Sequence, residues 1–150
     1  MNKITPFLWF NDNAEDAANF YLSIFPDGMK LDELRVTEAG PGPIGSLLTL
    51  TIALMGQQMV FMNGGPGHPH TDAFSFFVAC MTQEEIDNYW AKLTDGGTEI
   101  RCGWLKDKFG VSWQIAPEDI LKLVSHPNAM RAMMKMVKFD IATLEAAARS

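Results

Sequence analysis

Between Cys102 and Ile115 apolar and polar positions alternate on either side of a tight break. The pattern predicts a strand, a four-residue turn at Asp107-Lys108-Phe109-Gly110, and a second strand. The turn opens on an Asp, whose carboxylate can accept from nearby backbone N–H groups, and closes on a Gly, which accepts positive φ. Alternation then places Val111, Trp113 and Ile115 on one face and Ser112, Gln114 and Ala116 on the other. The first face is wholly apolar and needs a core. The second mixes a hydroxyl and an amide with small groups, as the lining of a pocket does and as a water-facing sheet also does.

The rest of the chain builds towards this hairpin. Residues 4–10 form a short β-branched and aromatic run, a buried strand by pattern. A helix follows, with Asn13 as N-cap, Asp16 in the capping-box position, and Ala17, Ala18, Tyr21 and Phe25 at helical spacing before Pro26-Asp27-Gly28 stops it. Strands are expected over 29–38, 46–54 and 57–63, the last two joined by the hairpin signal Met55-Gly56, with 39–45 as a loop. The breaker-rich stretch from Asn63 to Thr71 divides the chain in the middle. A second series then begins, with a strand over 73–80 and a Thr82/Glu85 capping box. The helix it opens buries Ile86, Tyr89, Trp90 and Leu93 and ends at Asp95-Gly96-Gly97. An offset of 69 residues lays Glu15 on Glu84, Asn19-Phe20-Tyr21 on Asn88-Tyr89-Trp90, Phe7 on Phe76 and Pro6 on Ser75. One offset that matches strand, helix and stop signal predicts two copies of a β-α-β-β-β unit. The copies span about residues 1–66 and 72–117, within a single domain that ends in a helical tail over 118–150.

Composition narrows the partners. A net charge of −6 and an isoelectric point near 4.9 exclude nucleic acid and anionic membrane as main partners, since both need clustered Lys and Arg. The absence of a long apolar run and the direct entry of the N-terminus into a strand predict a cytoplasmic protein. Cys80 and Cys102 stand alone, without zinc or disulfide spacing.

Three further patterns bear on chemistry. Gly40, Gly42 and Gly45 have dinucleotide-site spacing but precede a strand and are stiffened by Pro41 and Pro43, so they predict a plain loop. His68-Pro-His70 puts two rings on one side of an extended segment, yet two ligands fall short of the three or four that a stable metal site takes. Met130, Met133, Met134 and Met136 form a soft apolar face for the sheet or for a second subunit; after two complete modules the tail has little left to cover in its own chain, which favours the subunit contact.

The runs Ile4-Thr-Pro-Phe-Leu-Trp-Phe10, Ala14-Glu-Asp-Ala-Ala-Asn-Phe-Tyr21, Asn63-Gly-Gly-Pro66 and, above all, Gly103-Trp-Leu-Lys-Asp-Lys-Phe-Gly-Val-Ser-Trp-Gln-Ile115 carry a resemblance. The chain resembles the PhnB-like family, often labelled 3-demethylubiquinone-9 3-methyltransferase, of the vicinal oxygen chelate superfamily that includes the glyoxalase, bleomycin-resistance and extradiol dioxygenase proteins. The resemblance runs over nearly the whole chain, including the Met-rich tail. It implies an α+β fold of two βαβββ modules forming a glyoxalase-like half-barrel sheet around a pocket, with C-terminal helices, and a homodimer. It also places the superfamily's metal-ligand positions at Pro6, Ser75, Gln114 and the apolar stretch from Val60 to Met62. Only Gln114 and Ser75 offer oxygen there, so no metal and no cofactor is expected.

These readings converge on a metal-free protein that binds a small molecule in a pocket lined by Leu8, Ser75, Phe77, Trp104, Ser112 and Gln114. Phe7, Trp9, Phe74, Phe76 and Trp113 are then expected on the helix side. An enzyme on the same fold is the alternative. It would be metal-dependent through His68 and His70, or metal-free with Lys106 and Asp107 at the chemistry; the methyltransferase of the family label belongs to the same alternative. A dimeric adaptor without a ligand is a third reading.

Overall fold

The structure, a computed structural model, describes residues 2–150 and divides into two units that meet in sequence at Pro69 and His70. The first contains β1 (Phe7–Phe10), α1 (Ala14–Ile24), β2 (Met29–Arg35), β3 (Leu47–Leu54) and β4 (Gln57–Asn63). Its four strands lie in the order β1-β4-β3-β2, with β1 and β4 parallel and the other neighbours antiparallel. Strand alternation buries Leu50, Ile52, Leu54 and Phe61 on one face, and α1 covers them. The ring of Tyr21 stands edge-on to Phe61 at 5.7 Å. The β3–β4 hairpin closes through Met55 at φ 49° and Gly56 at φ 82°, the paired left-handed residues of a type I′ turn.

Helix α1 starts where expected but by another device. Asn13 makes no side-chain cap, and the N–H of Ala14 donates instead to Asn63 Oδ1 at the end of β4, at 2.9 Å. A residue distant in sequence satisfies the first orphan donor, which ties the helix start to the sheet. The outer strand β2 is exposed at all seven residues, Met29, Leu31 and Leu34 included.

The second unit repeats the topology with β5 (Ser75–Cys80), α2 (Gln83–Thr94), β6 (Thr98–Glu99), β7 (Trp104–Lys106) and β8 (Ser112–Pro117), in the order β5-β8-β7-β6. The Thr82 hydroxyl accepts from Glu85 N at 3.1 Å, and the Glu85 carboxylate reaches back to Met81 N. This closes the predicted capping box one residue further out than the usual form. Ile86, Tyr89, Trp90 and Leu93 are buried on the side of α2 that packs against β5, β7 and β8.

The tail forms α3 (Ile120–Leu123), α4 (Pro127–Met133) and α5 (Ile141–Ala148). Contrary to expectation, it has surface of its own chain to cover. Cys102 N donates to Met136 O and Gly103 N to Val137 O, both at 2.9 Å, while Arg101 Nη2 donates to Met134 O. Phe139, 3% exposed, lies so close over Gly103 that a Cβ there would meet its ring at 2.6 Å. Gly103 also sits at φ 80°, so this turn accepts only glycine without strain. Met130 and Met134 remain exposed.

Candidate functional site

The hairpin over residues 102–115 is held together by one carboxylate. Asp107 is 3% exposed; its Oδ1 accepts from Phe109 N at 2.8 Å and Val111 N at 3.1 Å, and its Oδ2 accepts from Trp113 Nε1 at 2.8 Å. Backbone bonds from Asp107 N to Val111 O and from Gly110 N to Asp107 O complete the turn. Three N–H donors on one ionised carboxylate make a set of charge-assisted bonds, which offsets the cost of burying it. Trp113 is thereby fixed on the helix side, 2% exposed and 4.9 Å from the ring of Phe76. Asp107 is thus a structural anchor, and its carboxylate is occupied away from the opposite face.

That opposite face carries five of the six residues proposed for the pocket. Gln114 lies between Phe77 on β5 and Trp104 on β7, and Ser112 lies between Ser75 and Lys106. Gln114 Nε2 donates to Ser75 Oγ at 3.0 Å, joining the two polar side chains across the parallel strands. Ser112 is 1% exposed, and its buried hydroxyl has no hydrogen-bond partner among the described residues. Phe77 is 49% exposed and Trp104 half-buried, so the face presents aromatic walls beside a polar centre. Lys106, named above with Asp107 in the metal-free enzyme alternative, is in register with Ser112 on the same face. Its β7 position, one strand-pair from Trp104, was a signal available from period-two alternation.

Leu8 lies on the face opposite to the one expected. It is 5% exposed and pairs with Phe61 on the face covered by α1, whereas Phe7 and Trp9 lie on the opposite face. The cause is one residue. The helix caps Asn13 and Thr82 are 69 positions apart, but the last strand residues Phe10 and Cys80 are 70 apart, because Asn11 and Asp12 fill a gap where the second unit has Met81 alone. A single added residue reverses the side of every strand position behind it. Phe7 therefore corresponds to Phe77, both exposed, and Leu8 to the buried Val78.

His68 packs on the indole of Trp9 with ring centroids 4.1 Å apart, and Trp9 Nε1 donates to Gly65 O. The central breaker-rich stretch is thus folded against β1. Gly42 and Gly45 sit in a loop that leads into β3, with no helix behind it to receive a phosphate. An open hollow of about 420 Å³ lies along the outer strand of the first unit, bordered by Lys30, Leu31, Asp32, Glu33 and Leu50. It has opposite charges in its rim and no buried polar group aimed into it, so we assign it no chemistry.

Two mixed four-stranded sheets of this order, each with a helix on one face, define the glyoxalase-like fold of the vicinal oxygen chelate superfamily. Within it, the family model described as 3-demethylubiquinone-9 3-methyltransferase matches residues 2–116, and the chain belongs to that family. The match ends before α3, so the resemblance is carried by the two modules and not by the Met-rich tail. Among solved structures, the PhnB protein of Bacillus cereus is 38% identical, with a TM-score of 0.70 over 77% of this chain and 99% of that one. The fosfomycin resistance protein FosX of Mesorhizobium loti shares the fold at 10% identity, with a TM-score of 0.60 over 83% and 99%. A FosX variant of Listeria monocytogenes, 14% identical with a TM-score of 0.54 over 77% and 92%, was crystallised with Mn(II). No curated protein sequence matches the chain.

The donor set here does not suit such an ion. Among the described residues no three His, Cys, Asp or Glu side chains converge, and the oxygen-bearing side chains of the face, Ser75, Ser112 and Gln114, are all neutral, with Gln114 bonded to Ser75. A divalent cation loses its hydration shell only against several anionic or imidazole ligands.

Proposed function

We propose that this chain binds a small organic molecule on the Ser75, Phe77, Trp104, Ser112 and Gln114 face of its second unit, without a resident metal. The observation that carries the reading is the Ser112 hydroxyl. A buried polar atom left unpaired costs about 1–3 kcal/mol, and native structures keep few of them. Here it lies beside a hydrogen-bonded Ser–Gln pair and next to the Phe77–Gln114–Trp104 row, the combination of apolar wall and few polar groups that small-molecule sites share. A ligand polar group placed over Ser112 removes that cost on binding. The family description names a methyltransferase, but no glycine-rich turn into a helix is present to support nucleotide-cofactor binding at the one matching motif.

The same reading places the protein in the cytoplasm, where its free Cys80 and Cys102 stay reduced, and makes it a homodimer. The fully exposed edge strand β2, with Met29, Leu31 and Leu34 open to solvent, supports the dimer, because an unpaired strand edge with apolar residues is a liability that pairing removes. Light scattering is expected to return twice the 16.7 kDa chain mass; a monomer at micromolar concentration refutes that part. Binding itself is tested by a fragment screen read by ligand-observed NMR. Fragments are expected to bind the parent and to lose binding in Trp104→Ala, which stays folded at the assay temperature, and in Gln114→Ala at nearly unchanged melting temperature; hits indifferent to both variants contradict the site.

A further inference from the structure

Register brings side chains of neighbouring strands into rows, about 5 Å per strand. On the face of the second unit just described, one row reads Ser75, Ser112, Lys106, Thr98 from β5 to β6, and the next reads Phe77, Gln114, Trp104. Resting on the small-molecule reading above, we propose that the ligand is a flat organic acid. Its carboxylate or phosphonate head sits on the Ser75–Ser112–Lys106 row, and its apolar body lies along Phe77 and Trp104.

The row is a donor row. The Ser112 hydroxyl is buried and has a proton to give. Ser75 accepts from Gln114 through its oxygen, which leaves its own O–H as a donor. Lys106 forms no ion pair among the described residues, and its long stem lets the ammonium swing over the neighbouring strand. No carboxylate competes on the row. Asp107, next in sequence, holds its charge on the hairpin's other side under three N–H donors, and Glu99 pairs with Leu105, one step out of the row. Two hydroxyl donors and an ammonium without a counter-charge favour an anion over a neutral amide or a cation, and a charge-assisted bond to a buried hydroxyl is stronger than a neutral one. With the chain at a net charge of −6, the attraction is local to the row and not a field of the whole surface.

The test is a ligand-observed NMR titration of the full chain with benzoate, phenylphosphonate and benzamide, the last a neutral isostere of benzoate. The two anions are expected to bind roughly fivefold tighter than benzamide, the scale of one exposed charge contact plus a charge-assisted bond. Lys106→Met should bring the anions down to the benzamide level with no change in benzamide affinity or melting temperature. Ser112→Ala should weaken the anions without lowering the melting temperature. Whichever anion binds tighter identifies the head as carboxylate or phosphonate. Equal binding of benzoate and benzamide, with both lost in Trp104→Ala, overturns the acid head and leaves the binding face standing. Anion binding unchanged in Lys106→Met overturns the role of the row. Failure of all three probes to bind overturns both this inference and the binding face.

Discussion

Removing the Asp107 carboxylate should weaken the second unit more than any other single change at a polar position of the hairpin. In Asp107→Ala, the buried Val111 N–H and Trp113 Nε1–H lose their acceptor, while Phe109 N, part-buried, can turn to water. Each buried donor left alone costs about 1–3 kcal/mol, so the loss should be about 3–5 kcal/mol, a fall of roughly 10 °C in melting temperature for a chain of this length. Asp107→Asn separates the contributions. Its amide oxygen can keep the two backbone bonds, but its NH2 then faces the indole N–H, donor against donor, for a loss of about 2 kcal/mol. If the Oδ2–indole bond is the cause, Trp113→Phe should cost less in the Asp107→Asn background than in the parent, by about 1–2 kcal/mol of coupling. Urea unfolding of the parent, the two single variants and the double variant, with amide exchange at Val111 and Trp113 as the local readout, gives the cycle. An Asp107→Ala protein within about 0.5 kcal/mol of the parent, the range of an ordinary surface change, refutes the anchoring role.

Other consequences are quicker to check. Ser112→Ala should leave stability unchanged or raise it by up to about 1 kcal/mol, since it deletes an unpaired buried hydroxyl; a loss above about 1 kcal/mol in thermal unfolding would mean that the hydroxyl is bonded. Burial, and secondarily the charge of Glu85, pushes the Cys80 thiol up to about 12, so iodoacetamide at pH 8 should leave Cys80 unmodified in native protein and label it only after unfolding, as peptide mass mapping would show. Asp87, bonded by Lys138 and then Gln83, and Asp140, bonded by the backbone N–H of Thr143, are both held below the ordinary 3.8. A depressed carboxyl stabilises fully above its unfolded value and loses that contribution as pH falls through the folded one. Protection factors over 138–148, corrected for intrinsic exchange, should therefore fall below about pH 4 before those in β8 do; simultaneous loss contradicts a tail held by these two groups.

How much of this was legible in the sequence depends on how local the determinant is. The faces of β8 followed from alternation alone, because Val111, Trp113 and Ile115 have no competing period, and all three are buried. The Thr82 cap was legible for the same reason, with donor and acceptor three residues apart. Leu8 was misplaced because its side was inferred by transferring one offset through a loop that differs by a residue between the units, and side-chain parity does not survive an insertion. Asn63 as the cap of α1, 49 residues from Ala14, has no local signature at all. The docking of Phe139 onto Gly103 is similarly long-range. Its only trace in the chain was a glycine before Trp104, which reads equally as turn punctuation. Asp107 was recognised as a turn former, but its bond to Trp113 needed the geometry of two strands and a side-chain direction.

The binding face is the central claim, and amide and side-chain chemical-shift mapping tests it most directly. Isotope-labelled protein is titrated with a fragment that binds in the screen. The largest shifts are expected on Ser75, Phe77, Ser112, the Trp104 indole N–H and the Gln114 side-chain amide, with β2 and the helix-covered Leu8 unmoved. Shifts gathered instead along Lys30 to Glu33, with the Gln114 amide silent, contradict it.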